Sequence, residues 1–218
     1  MPTLDSNQEK LVYQELDSLG SELLFVREFI GQSDASLLFV SLKESILWSR
    51  RKIQIFGKQY WQPRLLAWYG DPHCSYRYSG QRYTPHPWTP TLLQVKQEIE
   101  RFLNHSFNSV LCNYYRDGGD AMGFHRDNES ELGATPCIAS LSLGGTRKFV
   151  LKSRSGSEKQ VFYLSSGDLL VMRGATQTYW NHGVPRTAKK VGPRINLTFR
   201  EIHGENPLDG KGYFFPSD

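Results

Sequence analysis

The pentapeptide Gly123-Phe124-His125-Arg126-Asp127 holds an imidazole and a carboxylate two residues apart. On an extended segment, side chains at that spacing project to one face, so His125 and Asp127 can grip one ion from one side. A third ligand must come from elsewhere. The chain has six histidines, and His182, in Tyr179-Trp180-Asn181-His182-Gly183, follows a probable strand. Two imidazoles and one carboxylate on one face leave open positions on the ion, as non-heme iron(II) oxygenases need for a chelating co-substrate and O2. A His2Asp zinc hydrolase is the physical rival.

A second pattern bears on that choice. Arg194-Ile195-Asn196-Leu197-Thr198-Phe199-Arg200 alternates with period two. Ile195, Leu197 and Phe199 fall on one face of the strand and Arg194, Asn196, Thr198 and Arg200 on the other. Arginines on the inward side of a buried strand are costly without anions, and each guanidinium can take a carboxylate bidentately. A keto acid with a carboxylate at each end, such as 2-oxoglutarate, satisfies both. Asn113 and Tyr115, two apart on another strand, can donate to the same ligand. A zinc hydrolase has no use for such a clamp.

These residues need a scaffold. After Phe107 the hydrophobic period becomes two, with strands expected at Ser109–Tyr115, Ile138–Leu143, Arg147–Lys152, Gln160–Leu164, Asp168–Met172 and Arg194–Glu201. Upstream, a short helix is expected around Glu9–Leu19 and an entry strand or turn in Ser21–Phe29. A helix capped by Ser33 is expected over Ser33–Ser49, its stripe drawn from Leu37, Leu38, Val40, Ser41, Ile46 and Leu47. A second is expected over Pro90–Leu103. Helices followed by many short strands indicate an α+β fold, a β-sandwich or jelly roll with helices on one side. Residues 53–92 are rich in aromatic, Gly and Pro residues and poor in aliphatics, which suits loops and short strands lying over something else.

Composition sets the bounds. The 218 residues suit one domain, with 39% hydrophobic and 22% charged residues as in soluble globular chains. No apolar run is long enough for a membrane span, and the N-terminus does not read as a secretory signal. The net charge of +4 permits a polyanionic partner. Basic residues cluster at Arg50, Arg51, Lys52, Lys58 and Arg64, and at Arg186, Lys189, Lys190 and Arg194; a solvated face is the plain reading of such clusters. Cys74, Cys112 and Cys137 form no CxxC pair, which argues against a disulfide framework and for buried bystanders in a reducing compartment. With no exposed apolar stripe seen, a monomer is expected.

Taken together, the segments resemble the AlkB family of Fe(II)/2-oxoglutarate dioxygenases. The matching pieces are N-Y-Y at 113–115, H-R-D at 125–127, I-A-S-L-S-L-G at 138–144, His182 and R-I-N-L-T-F-R at 194–200. Upstream the likeness is closest to the branch repairing duplex DNA, through I-F-G-K-Q-Y-W-Q-P-R at 55–64, Y-G-D at 69–71 and S-Y-R-Y-S-G at 75–80. It covers about residues 50–203 and is loose before that.

The resemblance implies a double-stranded β-helix core with N-terminal helices and a nucleotide-recognition lid. Residues 1–50 would be an extension, 51–92 the lid, 93–203 the helix and jelly-roll core, and 204–218 a tail. It implies iron ligation by His125, Asp127 and His182, and 2-oxoglutarate contacts from Asn113, Tyr115, Arg194, Asn196 and Arg200. It implies that a flipped base is enclosed by Tyr76 or Tyr78 on one side and His125 on the other, with Glu129 beside it. Phe56 falls where that branch places an apolar wedge, while Lys58, Arg64 and Arg126 would contact the nucleic acid. Asn128 stands where the branch has an acid. The implied reaction consumes O2 and 2-oxoglutarate, yields succinate and CO2, and releases the alkyl carbon as formaldehyde, with N1-methyladenine and N3-methylcytosine in DNA as substrates. Alternatives are a dioxygenase of this fold acting on RNA or protein, and a non-catalytic nucleic-acid-binding module. The compartment would be cytoplasmic in a bacterium and nuclear in a eukaryote.

Overall fold

A computed structural model describes residues 11–50, 52–55, 58–74, 76–78 and 81–203, with backbone alone at 53–55, 58–59, 76–78 and 81–83. Its elements in chain order are β1 (Leu11–Glu15), β2 (Ser21–Val26), α1 (Gln32–Ser45), β3 (Lys52–Ile55), β4 (Lys58–Trp61), β5 (Leu65–Gly70), β6 (Tyr76–Tyr78) and β7 (Gln81–Tyr83). Then follow α2 (Pro90–Leu103), β8 (Ser109–Tyr115), β9 (Met122–His125), β10 (Ile138–Gly144), β11 (Arg147–Ser153) and β12 (Lys159–Leu164). The last are β13 (Leu169–Gly174), α3 (Thr176–Tyr179), β14 (Trp180–Val184) and β15 (Arg194–Arg200).

Two antiparallel sheets face each other. The larger runs β1-β2-β13-β10-β15-β8-β5 and the smaller β12-β11-β14-β9, while β3-β4 and β6-β7 are separate hairpins. The alternation of β15 decides what lies on each side of the larger sheet. Ile195, Leu197 and Phe199 pack with Val110 and Cys112 of β8, Leu141 of β10, Leu42 of α1 and Leu92, Val95 and Ile99 of α2. The opposite face closes on the smaller sheet, where Leu23, Ile138 and Met172 meet Leu151, Trp180 and Val184. β15 is therefore buried along its whole length. Each large apolar side chain so buried contributes roughly 1.5–3 kcal/mol, and the strand's polar face is left looking into the sandwich.

The second helix follows its sequence signals closely. Thr89 caps it, its side chain accepting from the Leu92 N–H at 3.2 Å, with Pro90 in the first turn and Asn104 left-handed at the far end. The first helix departs from expectation. Gly31, not Ser33, stands at its N-cap without a side-chain bond. Its inward stripe is Ala35, Leu42 and Ile46, buried, with Leu38 and Phe39 half-buried beside them, while Leu37 and Val40 are 69% and 53% exposed. A small residue, Ala35, and an aromatic one, Phe39, complete the i, i+3, i+4, i+7 series that the aliphatics alone leave incomplete.

Residues expected as a helix near Glu9–Leu19 instead form β1, paired with β2 from Leu11↔Val26 to Glu15↔Glu22. β2 in turn pairs with β13 and β5 with β8. Within the stretches expected as N-terminal extension and lid, β1, β2 and β5 are thus strands of the main sheet, and among the described residues α1 is the helix that precedes the lid segment. Asp17 ties this region to the smaller sheet by accepting from the buried Trp180 indole at 2.7 Å. No described helix is long and apolar enough to cross a membrane. Cys74 and Cys112 are buried and Cys137 is half-buried, all as free thiols.

Candidate metal and oxoacid site

The smaller sheet brings the first two candidate ligands together. β9 and β14 pair with His125 opposite His182, and a register shift follows before Val184. The approach is close: a Cβ on Gly183 would meet the carbonyl oxygens of Met122 and Gly123 at 3.0 and 3.1 Å. The two imidazole centroids lie 4.3 Å apart. Asp127, just past the end of β9, completes a cluster whose ligand atoms all lie within 4.8 Å of one another. Neither β9 nor β14 was expected as a strand.

His125 and Asp127 are held from behind, while His182 Nδ1 has no hydrogen-bond partner. His125 Nδ1 lies 2.9 Å from the Gly123 carbonyl, an acceptor only, so Nδ1 carries the proton and Nε2 keeps its lone pair. Nε2 faces Asp127 Oδ1 at 3.5 Å. Arg200 donates from Nε and Nη2 to Asp127 Oδ2 at 3.1 and 2.7 Å. The Asp127 backbone N–H donates to Gln177 Oε1 at 3.0 Å. Burial would raise the Asp127 carboxyl, but the charge of Arg200 and the His125 bond hold it well below the usual range. Burial, helped by the neighbouring His125, pulls His182 down to about 3, leaving a neutral imidazole that can ligate a metal.

The polar face of β15 lines a cavity of about 420 Å³ that the ligand cluster also borders. Its two arginines have different situations. Arg200 is committed to Asp127. Arg194 is 1% exposed and gives one bond, Nη2 to Ser142 Oγ at 2.8 Å, while its Nε and Nη1 have no partner. Its guanidinium lies over the Tyr115 ring, 5.2 Å from the centroid. Burial lowers it to about 10, so it stays protonated at neutral pH. A buried cation with donors to spare fits a carboxylate.

Asn113 and Tyr115 border the same cavity, in register with Asn196 and Arg194. Asn196 already donates to Ser140 Oγ and the Leu141 carbonyl and accepts from Thr198. Glu129 lines the cavity with an unpartnered Oε2, and burial, with the adjacent Asp127 charge, raises it to about 7. Arg126 also borders the cavity and donates to the Thr178 carbonyl at 3.3 Å.

Arg64, expected to contact the nucleic acid, is 5% exposed and turned into the cavity, because β5 docks beside β8 and carries the residue inward. Phe56 lies outside the described residues, as do the side chains of Lys58, Tyr76 and Tyr78. Gln177, Ser140 and Ser142 were not foreseen. Ser140 and Ser142 lie within the I-A-S-L-S-L-G segment, which gives them no role by itself, and Gln177 lies in none of the matching segments; the fold brings all three to the site.

A β-sandwich with a His–Asp–His cluster and an unsatisfied buried guanidinium on one cavity defines an oxygenase of the double-stranded β-helix class. Residues 22–200 match the 2OG-Fe(II) oxygenase superfamily. Alpha-ketoglutarate-dependent dioxygenase alkB homolog 3 of Bos taurus is 41% identical over 185 residues, 80% of this chain and 64% of that protein. DNA oxidative demethylase ALKBH2 of Mus musculus is 37% identical over 183 residues, 79% of this chain and 77% of that protein. The match thus spans slightly under two thirds of the first relative. A solved structure, that of OsALKBH1, shares the fold with a TM-score of 0.59 at 19% identity, covering 87% of this chain and 100% of that one. The chain belongs to the 2OG-Fe(II) oxygenase superfamily and, within it, to the AlkB-type dioxygenases. The reagents of that family are ferrous iron, 2-oxoglutarate and O2.

Proposed function

We propose that this protein removes alkyl groups from damaged DNA bases by Fe(II)- and 2-oxoglutarate-dependent oxidation, N1-methyladenine and N3-methylcytosine foremost. The observation that carries this reading is the juxtaposition of the His125, Asp127 and His182 cluster with the buried Arg194 guanidinium, whose Nε and Nη1 have no partner, on one cavity. The mouse relative's name, DNA oxidative demethylase, points the same way.

In this reading His125, Asp127 and His182 hold the iron. When bound, iron and 2-oxoglutarate would supply the O2-dependent oxidation of the alkyl carbon, with succinate and CO2 as co-products and formaldehyde as the form in which the carbon leaves. Arg194 takes the far carboxylate of the co-substrate, with Tyr115 beside it and Asn113 donating from the next inward position on β8. Arg200 fixes Asp127 through Oδ2 and leaves Oδ1 for the metal. Asn196 braces β15 against β10. Glu129 offers its free oxygen to the edge of the base. A target base must leave the duplex to enter, at a cost of a few kcal/mol that is smallest for a base already unable to pair. Tyr76 or Tyr78 with His125 would stack on it, at about 1–3 kcal/mol per base. Phe56 would fill the gap, and Lys58 and Arg126 would hold the strand.

The test is mass spectrometry of methylated oligonucleotides after incubation with Fe(II), 2-oxoglutarate and ascorbate. Loss of the methyl mass from DNA, greater for duplex than for single strands, is expected. Loss from RNA alone would reassign the substrate, and no loss from any of them would remove the repair reading.

A further inference from the structure

Arg64 precedes β5, and its charge has no evident use at the surface. The guanidinium is buried, and its Nε donates to Asn113 Oδ1 at 2.7 Å. Asn113 is neutral. Among the described residues no carboxylate lies within ion-pair distance of Arg64. A buried guanidinium is expensive unless an anion compensates it.

The charges on the cavity wall sharpen the point. Arg64, Arg194 and Arg200 all border the cavity. Arg200 is neutralised by Asp127. Arg64 and Arg194 remain, two cations facing one space. They flank the β8 segment Asn113–Tyr115 from opposite sides: β5 pairs through Leu66↔Asn113, and β15 pairs through Arg194↔Tyr115. A short dicarboxylate entering between them meets one positive group from each neighbouring strand.

The hydrogen bond adds direction. An amide can turn its oxygen or its NH2 group either way, and the neighbours decide. A guanidinium has donors only. Asn113 must therefore give Oδ1 to Arg64, which keeps Nδ2 for other partners, and its protein contact there, the Leu111 carbonyl, is long at 3.5 Å. An NH2 group is the end that suits a carboxylate or keto oxygen.

We infer that Arg64 serves the oxoacid rather than the nucleic acid: it is a positioning residue that sets the Asn113 amide with its NH2 group toward 2-oxoglutarate and supplies counter-charge beside it. This rests on the reading of the cavity as the 2-oxoglutarate site.

The test uses the full chain with Mn(II) in place of iron. 2-Oxoglutarate binding is read by calorimetry, and binding of a labelled methylated oligonucleotide by fluorescence anisotropy at several salt concentrations. Arg64→Gln should weaken 2-oxoglutarate binding about 10- to 100-fold, as expected for loss of a buried charge-assisted bond. Nucleic-acid affinity should stay within about twofold with an unchanged salt slope, since no phosphate contact is lost. Adding Asn113→Ala to Arg64→Gln should weaken binding further by less than about twofold, because the two act as one unit. Arg64→Lys, which keeps the charge but not the planar Nε–H, should also bind 2-oxoglutarate more weakly than the parent; it carries the test if the Gln variant does not fold. Unchanged 2-oxoglutarate affinity in both variants would overturn the inference, as would a salt slope shallower by about one, the mark of a lost phosphate contact. A parent protein that binds Mn(II) but not 2-oxoglutarate would sink the cavity reading itself.

Discussion

Replacing Arg194 by Met should separate stability from ligand binding. In the ligand-free protein Arg194 is a buried cation with one hydrogen bond, to Ser142, and two unpartnered nitrogens. Met fills a similar volume without charge. Exchanging a poorly compensated buried charge for an apolar side chain is commonly neutral or stabilising by about 1–4 kcal/mol. The bound state should respond in the opposite sense. Losing the partner of a buried carboxylate costs about 3–5 kcal/mol, or roughly two to three and a half decades in the dissociation constant. Urea denaturation without ligand, beside calorimetry of 2-oxoglutarate binding to the Mn(II)-loaded protein, measures both. The expected pair is an unchanged or higher midpoint with binding weakened at least a hundredfold. A variant destabilised by more than about 2 kcal/mol that still bound 2-oxoglutarate as tightly as the parent would show that Arg194 is structural, not a carboxylate receptor.

Other outcomes follow from the same geometry. His125→Ala and Asp127→Ala should each abolish turnover and weaken metal binding by calorimetry; retained turnover would mean the metal sits elsewhere. Gln177→Leu removes the acceptor for the Asp127 N–H, and should cost about 10- to 100-fold in metal affinity, as loss of a group supporting a ligand does, read by competition with a chromophoric chelator. The pH dependence of the metal-free protein should carry the signature of His182. Its folded value is depressed to about 3 from an ordinary 6.5, so the unfolded chain binds the proton first. The stability is complete above that ordinary value and falls as pH drops toward the folded one, by up to about 1.4 kcal/mol per pH unit. His182→Leu should flatten the urea midpoint over this range, and an identical slope in parent and variant would place the titration elsewhere.

Legibility in the sequence followed how local the determining physics is. α2 was readable end to end because Thr89, Pro90 and its apolar stripe are local signals. β15 was readable because its alternation is strict and buried on both faces. The His125 and Asp127 pair was readable from spacing alone. β1 was misread as helix, since its strand form depends on the edge that β2 offers it, a tertiary effect no local propensity reports. β9 and β14 are short and Gly-containing, without an alternating pattern, and pair where the two histidines meet. The difference between Arg194 and Arg200 was also hidden. The two stand symmetrically in the heptapeptide, yet only Arg200 lies beside Asp127. Arg64 resembles any surface arginine in sequence, and its inward position is set by β5 docking on β8.

Crystals soaked anaerobically with Fe(II) and 2-oxoglutarate, with anomalous data collected at the iron edge, give the most direct check. The expected map has one peak bounded by His125, Asp127 and His182, with an oxoacid whose far carboxylate lies on Arg194. A peak away from those three side chains, or an oxoacid with neither carboxylate at Arg194, would contradict the assignment.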